Sequence, residues 1–231
     1  MLDLTQIKAI SLDLDDTLWP VWPVIERAEK SLDIWLQQRA PMTAVMFSNP
    51  DARLEIRKYI SNARPEFKHD MSALRRESIR EALQRSGEDP VLAEEAFKVF
   101  FAERNRVTMF EDAVAALEFL SQRFPIVALS NGNADIEQIG IHKYFKANIS
   151  AQKFGVAKPD PRIFHAAAEA VGTLPANVLH IGDDAALDVL GALKVGMKTV
   201  WLNRASNAWE HNEMPHMTVT SLRALCEAMA D

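Results

Sequence analysis

Residues 13–17, Asp-Leu-Asp-Asp-Thr, place three carboxyl groups and a hydroxyl within five positions, directly after the apolar run Ala9-Ile10-Ser11-Leu12. Alternate side chains of an extended segment share a face. Asp13 and Asp15 would therefore point together if the strand continued, with Thr17 nearby once the chain turns. Two converging carboxylates need a shared proton or a cation. Mg2+ suits such a site because it takes oxygen ligands and keeps several waters. The same residue types also make an ordinary turn and helix cap after a strand, so the choice rests on the rest of the chain.

Two further stretches end apolar runs in the same manner, and a lysine lies between them. Ser130-Asn131-Gly132 offers a hydroxyl, an amide and backbone N–H groups, an arrangement suited to phosphate and equally at home in a plain loop. Lys158 precedes Pro159, which restricts its backbone and could aim its ammonium at the same crevice; most lysines are simply solvated. Gly182-Asp183-Asp184 follows a fourth run, with Asp188 about one helical turn later. A helix N-terminus favours one acid. Several acids in an already acidic crevice call for a cation.

The elements that must position these residues read as an α/β domain. Apolar runs at 7–14, 125–129, 177–181 and 197–202, with a weaker one at 147–150, fit buried parallel strands. Helical patterns at 111–123, 133–140, 161–171 and 185–195 alternate with them, as in a doubly wound, Rossmann-like sheet. "KPDPRIF" marks one helix start, with Asp160 as N-cap and Pro161 at the first helical position. In such sheets ligands bind beyond the C-terminal ends of the strands.

From about Trp19 to Val107 the strand signal gives way to some four helices. Ile25, Ala28, Leu32 and Trp35 share one face, as do Leu92, Ala96, Val99 and Phe100. The expected division is a core of residues 1–18 and 108–231 and a helical insertion over 19–107. Trp19 and Trp22 would pack at the junction, with stacking on a flat heterocycle as the alternative. His180 is expected to face the interior without a catalytic role.

Composition narrows the function classes. The 231 residues carry a net charge of −6 and no basic stripe, which argues against a nucleic acid polymer or an anionic membrane as partner and leaves small anions open. No apolar run approaches the roughly 20 residues of a membrane span. One cysteine, Cys226, and no signal-peptide pattern suggest a cytoplasmic protein.

Taken in order, D-x-D-x-T at 13–17, Ser130, Lys158 and Gly182-Asp183-Asp184 resemble the four motifs of the haloacid dehalogenase-like hydrolases, and the insertion resembles that superfamily's helical C1 cap. The resemblance implies that Asp13 is a nucleophile forming an aspartyl-phosphate and that Asp15 is the general acid and then base. It implies that Thr17 orients the pair and, with Ser130, Asn131 and Lys158, serves the phosphoryl group. Asp13, Asp15 through its backbone carbonyl, Asp183 and Asp184 would hold Mg2+, with Asp188 behind them. "WPVIERAE", "RPEFKHDMSALRRESI", "SNGNADIEQIGIHKYF" and "HIGDDAALDVLGALKVGMKTVWLNR" look similar to bacterial phosphatases of flavin mononucleotide and of 5-amino-6-(5-phospho-D-ribitylamino)uracil. The implied partner is a small phosphorylated metabolite, with His69, Arg75 and Arg76 as candidate cap contacts or members of a solvated face. Sugar phosphates, nucleoside monophosphates, a mutase and a receiver-like module without turnover stay open. A true dehalogenase resembles D-x-Y rather than D-x-D.

Overall fold

A computed structural model describes residues 4–230. Its centre is β1 (Ala9–Leu12), buried along its whole length, as an unbroken apolar run between two neighbours requires. β1 pairs in parallel with β2 (Ile126–Ser130) and β4 (Val178–Gly182). With β3 (Ala147–Ser150), β5 (Lys198–Leu202) and β6 (Met217–Val219) they form one parallel sheet in the order β3-β2-β1-β4-β5-β6. The fold is the expected α/β type. β6 lacks a sequence signal because its three residues, Met-Thr-Val, are too few to show a period.

The chain divides into two compact units. The sheet unit comprises residues 1–20, 108–132 and 140–231. It contains α6 (Ala113–Ser121), α8 (Ala151–Phe154), α9 (Pro161–Ala170), a π-helical stretch Ala185–Leu190 running into α10 (Gly191–Lys194), and α11 (Leu222–Ala228). Asp160 caps α9 by accepting the Arg162 N–H at 2.9 Å. The buried face of α9, Ile163, Phe164, Ala167 and Ala168, packs with Val127, Leu129 and Val178 of the sheet.

The helical unit comprises residues 21–107 and 133–139. Its helices are α1 (Val21–Arg39), α2 (Pro41–Phe47), α3 (Pro50–Ala63), α4 (Met71–Arg85) and α5 (Ala93–Arg104). The buried stripe of α1 is Val24, Ala28, Leu32 and Leu36, a strict four-residue repeat. Ile25 and Trp35, expected on that face, lie at its margin. Leu32, Leu36, Ile56, Ile79, Leu83 and Phe100 form the centre of this unit's core.

Residues 133–140, expected to be a helix of the sheet unit, form only α7 (Ile136–Ile139), and residues 133–139 group with the helical unit. Polar side chains account for this. Asn133 accepts from Arg104 Nε at 3.2 Å and donates to Ser72 Oγ at 3.1 Å, while the Asp135 N–H donates to Asn105 Oδ1 at 2.8 Å. None of these partners is near in sequence. Trp22, expected to pack, is 71% exposed. Among the described residues no helix is long and apolar enough to cross a membrane.

One carboxylate ties the end of the chain to the sheet unit. Asp112 receives both Arg204 Nη atoms at 2.9 and 3.2 Å and the Leu222 N–H at 2.7 Å, which starts α11. Burial raises its pKa, but Arg204 and the backbone donors outweigh that and hold it below the ordinary carboxylate value. Its contribution is therefore present at neutral pH and lost as pH falls through the depressed value. Asp112→Ala is expected to lower stability by about 1.5–3 kcal/mol, the range for hydrogen bonds to a charged group, in urea unfolding at pH 7. The deficit relative to wild type should shrink in acid.

Candidate active site

The sheet reverses its winding at β1 and β4: the chain moves from β1 outward to β2 and β3, then crosses to β4 and moves outward to β5 and β6. Two adjacent strands whose connections diverge leave a crevice at their C-terminal ends. Asp13 follows β1 there, and its N–H donates to the Ile181 carbonyl at 2.9 Å, extending the ladder by one residue. The chain then turns. Asp16 adopts φ 59°, a left-handed conformation that Asp tolerates better than most residues, and the Leu18 N–H bonds the Leu14 carbonyl at 2.8 Å. Within this turn the buried Trp19 indole donates to Asp15 Oδ1 at 2.9 Å, and the Thr17 hydroxyl donates to Asp183 Oδ1 at 3.4 Å. Trp19 thus packs inside the sheet unit and orients Asp15, a role beyond the packing or stacking expected of it.

Ser130 ends β2 and is buried, its Oγ accepting the Gly132 N–H at 2.9 Å. Asn131, expected to offer its amide to phosphate, brackets Lys158. Its Oδ1 accepts the Lys158 N–H at 2.7 Å and its Nδ2 donates to the Lys158 carbonyl at 3.0 Å. With its backbone held at both groups, Lys158 reaches inward and is 4% exposed. Its Nζ lies 2.5 Å from Asp13 Oδ1 and 2.6 Å from Asp188 Oδ1.

The structure exchanges the expected places of Asp184 and Asp188. Asp184 is exposed, and its carboxylate caps the π-helical stretch by accepting the Ala186 and Leu187 N–H groups at 2.8 and 2.7 Å. Asp188 is buried at the centre, its Oδ2 accepting the Asp184 N–H at 3.1 Å. A wide π turn inside a helical segment is a common feature of functional sites. Gly182 makes the approach possible, since a Cβ there would lie 2.3 Å from Asp188 Cγ. His180, buried as expected, bonds Asp188 Oδ1 through Nε2 at 3.1 Å.

Carboxylate oxygens of Asp13, Asp183 and Asp188 lie within 4.8 Å of one another. Three carboxylates against one ammonium leave two negative charges in excess in a largely buried place, which a cation would neutralise. The donors are all hard oxygens, a set that fits Mg2+ or another hard divalent ion. The electrostatics agree. Burial raises the Asp13 carboxyl well above its ordinary range despite Lys158. Burial, with repulsion from Asp188 and Asp16, pushes Asp183 up to about 7. Lys158 goes up, since Asp13 and Asp188 outweigh its desolvation, and Asp188 goes down, since Lys158 and His180 outweigh its burial.

The remaining candidates lie in the helical unit. Arg75 pairs with Glu29 and stacks over Phe100, its guanidinium carbon 4.0 Å from the ring centre. Arg76 pairs with Glu94 at 3.5 Å and sits over Phe97. His69 ends a short 3-10 turn and is partly exposed.

Comparison with known proteins matches residues 7–196 to the haloacid dehalogenase-like hydrolase family. The chain is 32% identical over 230 residues to the 5-amino-6-(5-phospho-D-ribitylamino)uracil phosphatase YigB of Escherichia coli, covering 96% of each protein. A phosphoserine phosphatase of Thermus thermophilus is 32% identical over 158 residues, 66% of this chain and 64% of that protein. Among solved structures, a protein described as a 2-haloacid dehalogenase from Pseudomonas syringae superposes with a TM-score of 0.92 at 35% identity, covering 97% of this chain and 98% of that one.

The raised Asp183 pKa has a definite sign. The unfolded chain ionises near the ordinary value and the folded one near 7, so without a cation stability falls as pH rises from about 4 to about 7. In EDTA, Tm should be lower at about pH 8 than at about pH 5, and added Mg2+ should raise it more at the higher pH. Calorimetric scans over that range check both.

Proposed function

We propose that this chain, which belongs to the haloacid dehalogenase-like hydrolases, is a Mg2+-dependent phosphatase of small phosphorylated metabolites acting in the cytoplasm. The observation that carries the reading is the pair of acids on the β1 turn. Asp13 is buried against Lys158 in the carboxylate cluster, and Asp15, two residues on, is held by Trp19. One acid lies against the buried ammonium of Lys158 and the other is set apart, a division suited to a nucleophile and a proton carrier.

Asp13 Oδ attacks phosphorus, and the bond to the leaving oxygen breaks as Asp15 delivers a proton to it. Asp15, now a carboxylate, takes a proton from water, which attacks the aspartyl-phosphate and releases orthophosphate. Lys158 and the Ser130 hydroxyl neutralise and hold the phosphoryl oxygens, since such transfer depends on positioning and charge more than on covalent assistance. Asp13, Asp183 and the Asp15 carbonyl would hold Mg2+, which reduces the repulsion between Asp13 and a phosphate dianion.

For the substrate, the preferred candidates are 5-amino-6-(5-phospho-D-ribitylamino)uracil and flavin mononucleotide. Identity of 32% over 96% of both chains with a phosphatase of the first compound supports this preference. The likeness to a protein described as a haloacid dehalogenase favours carbon–halogen cleavage as the second reading. A halide leaves without a proton, whereas an alkoxide needs one, and Asp15 supplies it.

Orthophosphate release is to be measured from these two compounds, sugar phosphates and nucleoside monophosphates, with Mg2+ and with EDTA, beside halide release from 2-chloropropionate. Mg2+-dependent phosphate release is expected, with the two flavin-related compounds foremost. Asp13→Asn should abolish it with circular dichroism unchanged, and Asp15→Asn should lower kcat about 10²- to 10⁴-fold. Halide release, or full turnover in Asp13→Asn, would sink the reading.

A further inference from the structure

Asp188 is held at Oδ2 by the Asp184 N–H, and what fixes Oδ1 decides where Lys158 points. Asp188 must hold the Lys158 ammonium, yet it shares the crevice with Asp13 and Asp183, whose charges repel it. With that one backbone hydrogen bond alone the carboxylate could turn about it, and Lys158 would follow. The residue that prevents this is His180, at the third position of β4 and fully buried.

Both imidazole nitrogens are engaged: Nε2 meets Asp188 Oδ1 at 3.1 Å, and Nδ1 meets the buried Ser11 Oγ at 3.0 Å. An ionised carboxylate only accepts, so Nε2 carries the proton. Nδ1 is then an acceptor, and the Ser11 hydroxyl donates to it. Phe164 meets the imidazole edge-on, with ring centres 5.3 Å apart and planes at 87°, which fixes the ring's tilt. Ser11 and His180 face each other in the β1–β4 register, so the contact is built into the sheet. The order of donors is complete: Ser11 to His180, His180 and Lys158 to Asp188 Oδ1, and the Asp184 N–H to Asp188 Oδ2.

We propose that Ser11 and His180 are positioning residues: the Asp188 carboxylate sets the Nε2–H tautomer of His180, Ser11 donates to Nδ1 and holds the ring in place, and the ring so held locks Asp188 and thereby aims Lys158 at the phosphoryl site beside Asp13. A histidine that orients an acid through one nitrogen while a second group holds the other nitrogen is a general device for fixing the geometry of a charged site. The consequence for phosphate rests on the phosphatase reading above, whereas the tautomer and the lock do not.

Two measurements test the proposal. Long-range proton–nitrogen correlation spectra of protein labelled with 15N-histidine should show His180 protonated at Nε2 and bare at Nδ1, and Ser11→Ala should shift the Nδ1 resonance by removing its hydrogen bond while Nε2 keeps its proton. A proton on Nδ1 in the wild type overturns the proposal, whether or not the protein turns over any ester. The second measurement is orthophosphate binding by calorimetry with Mg2+ present, with kcat and KM for p-nitrophenyl phosphate. His180→Phe, which keeps the ring and loses the donor, should weaken orthophosphate binding and lower kcat about 10- to 100-fold. His180→Gln, which retains a donor near the Nε2 position, should restore most of both. A purely structural role predicts that both variants lose Tm while the folded protein binds orthophosphate as the wild type does, and that result also overturns the proposal. If the wild type neither binds orthophosphate nor cleaves any ester, the phosphatase reading fails and the spectra alone judge the lock.

Discussion

The buried ammonium of Lys158, shared between Asp13 and Asp188, is the interaction on which the site depends. Removing an ammonium from water costs several kcal/mol, and only close carboxylates with their own hydrogen bonds offset it. Each neighbouring feature serves that requirement. Asn131 grips the Lys158 backbone at its N–H and its carbonyl, Gly182 lets Asp188 come near, and His180 with the Asp184 N–H holds the Asp188 oxygens. Loss of Lys158 would leave two buried carboxylates without their cation.

The sheet is what brings the partners together. Asp13 and Asp183 are 170 residues apart in sequence, yet each leaves one of two adjacent parallel strands at the point where the winding reverses. Ser130 leaves the strand on the other side of β1. Parallel strands deliver all their C-terminal ends to one edge, so motifs dispersed along the chain converge without long loops. The acids then exceed the cations, an excess that a hard divalent ion would neutralise.

The names carried by similar proteins divide between phosphatases and a dehalogenase. An overall likeness of backbone does not separate them, because one fold hosts both reactions. The difference lies in whether the leaving group needs a proton, and Asp15, oriented by Trp19, is the residue that bears on it.

Much of this was legible in the linear order of residues. Apolar runs located five of the six strands, Asp160 and Pro161 marked the start of α9, and the spacing of Asp13, Ser130, Lys158 and Asp183 identified the family, because each of these signals is local to a few residues. Other features had no local signal. Asp184 and Asp188 are the same residue type four positions apart, and only the π-helical turn and the room at Gly182 put the second into the cluster and the first on a cap. Asn131 grips the Lys158 backbone, and residues 133–139 join the helical unit, through partners distant in sequence. His180 read as one more interior residue until β1 was set beside β4, because a hydrogen bond between neighbouring strands depends on register, which no single strand contains.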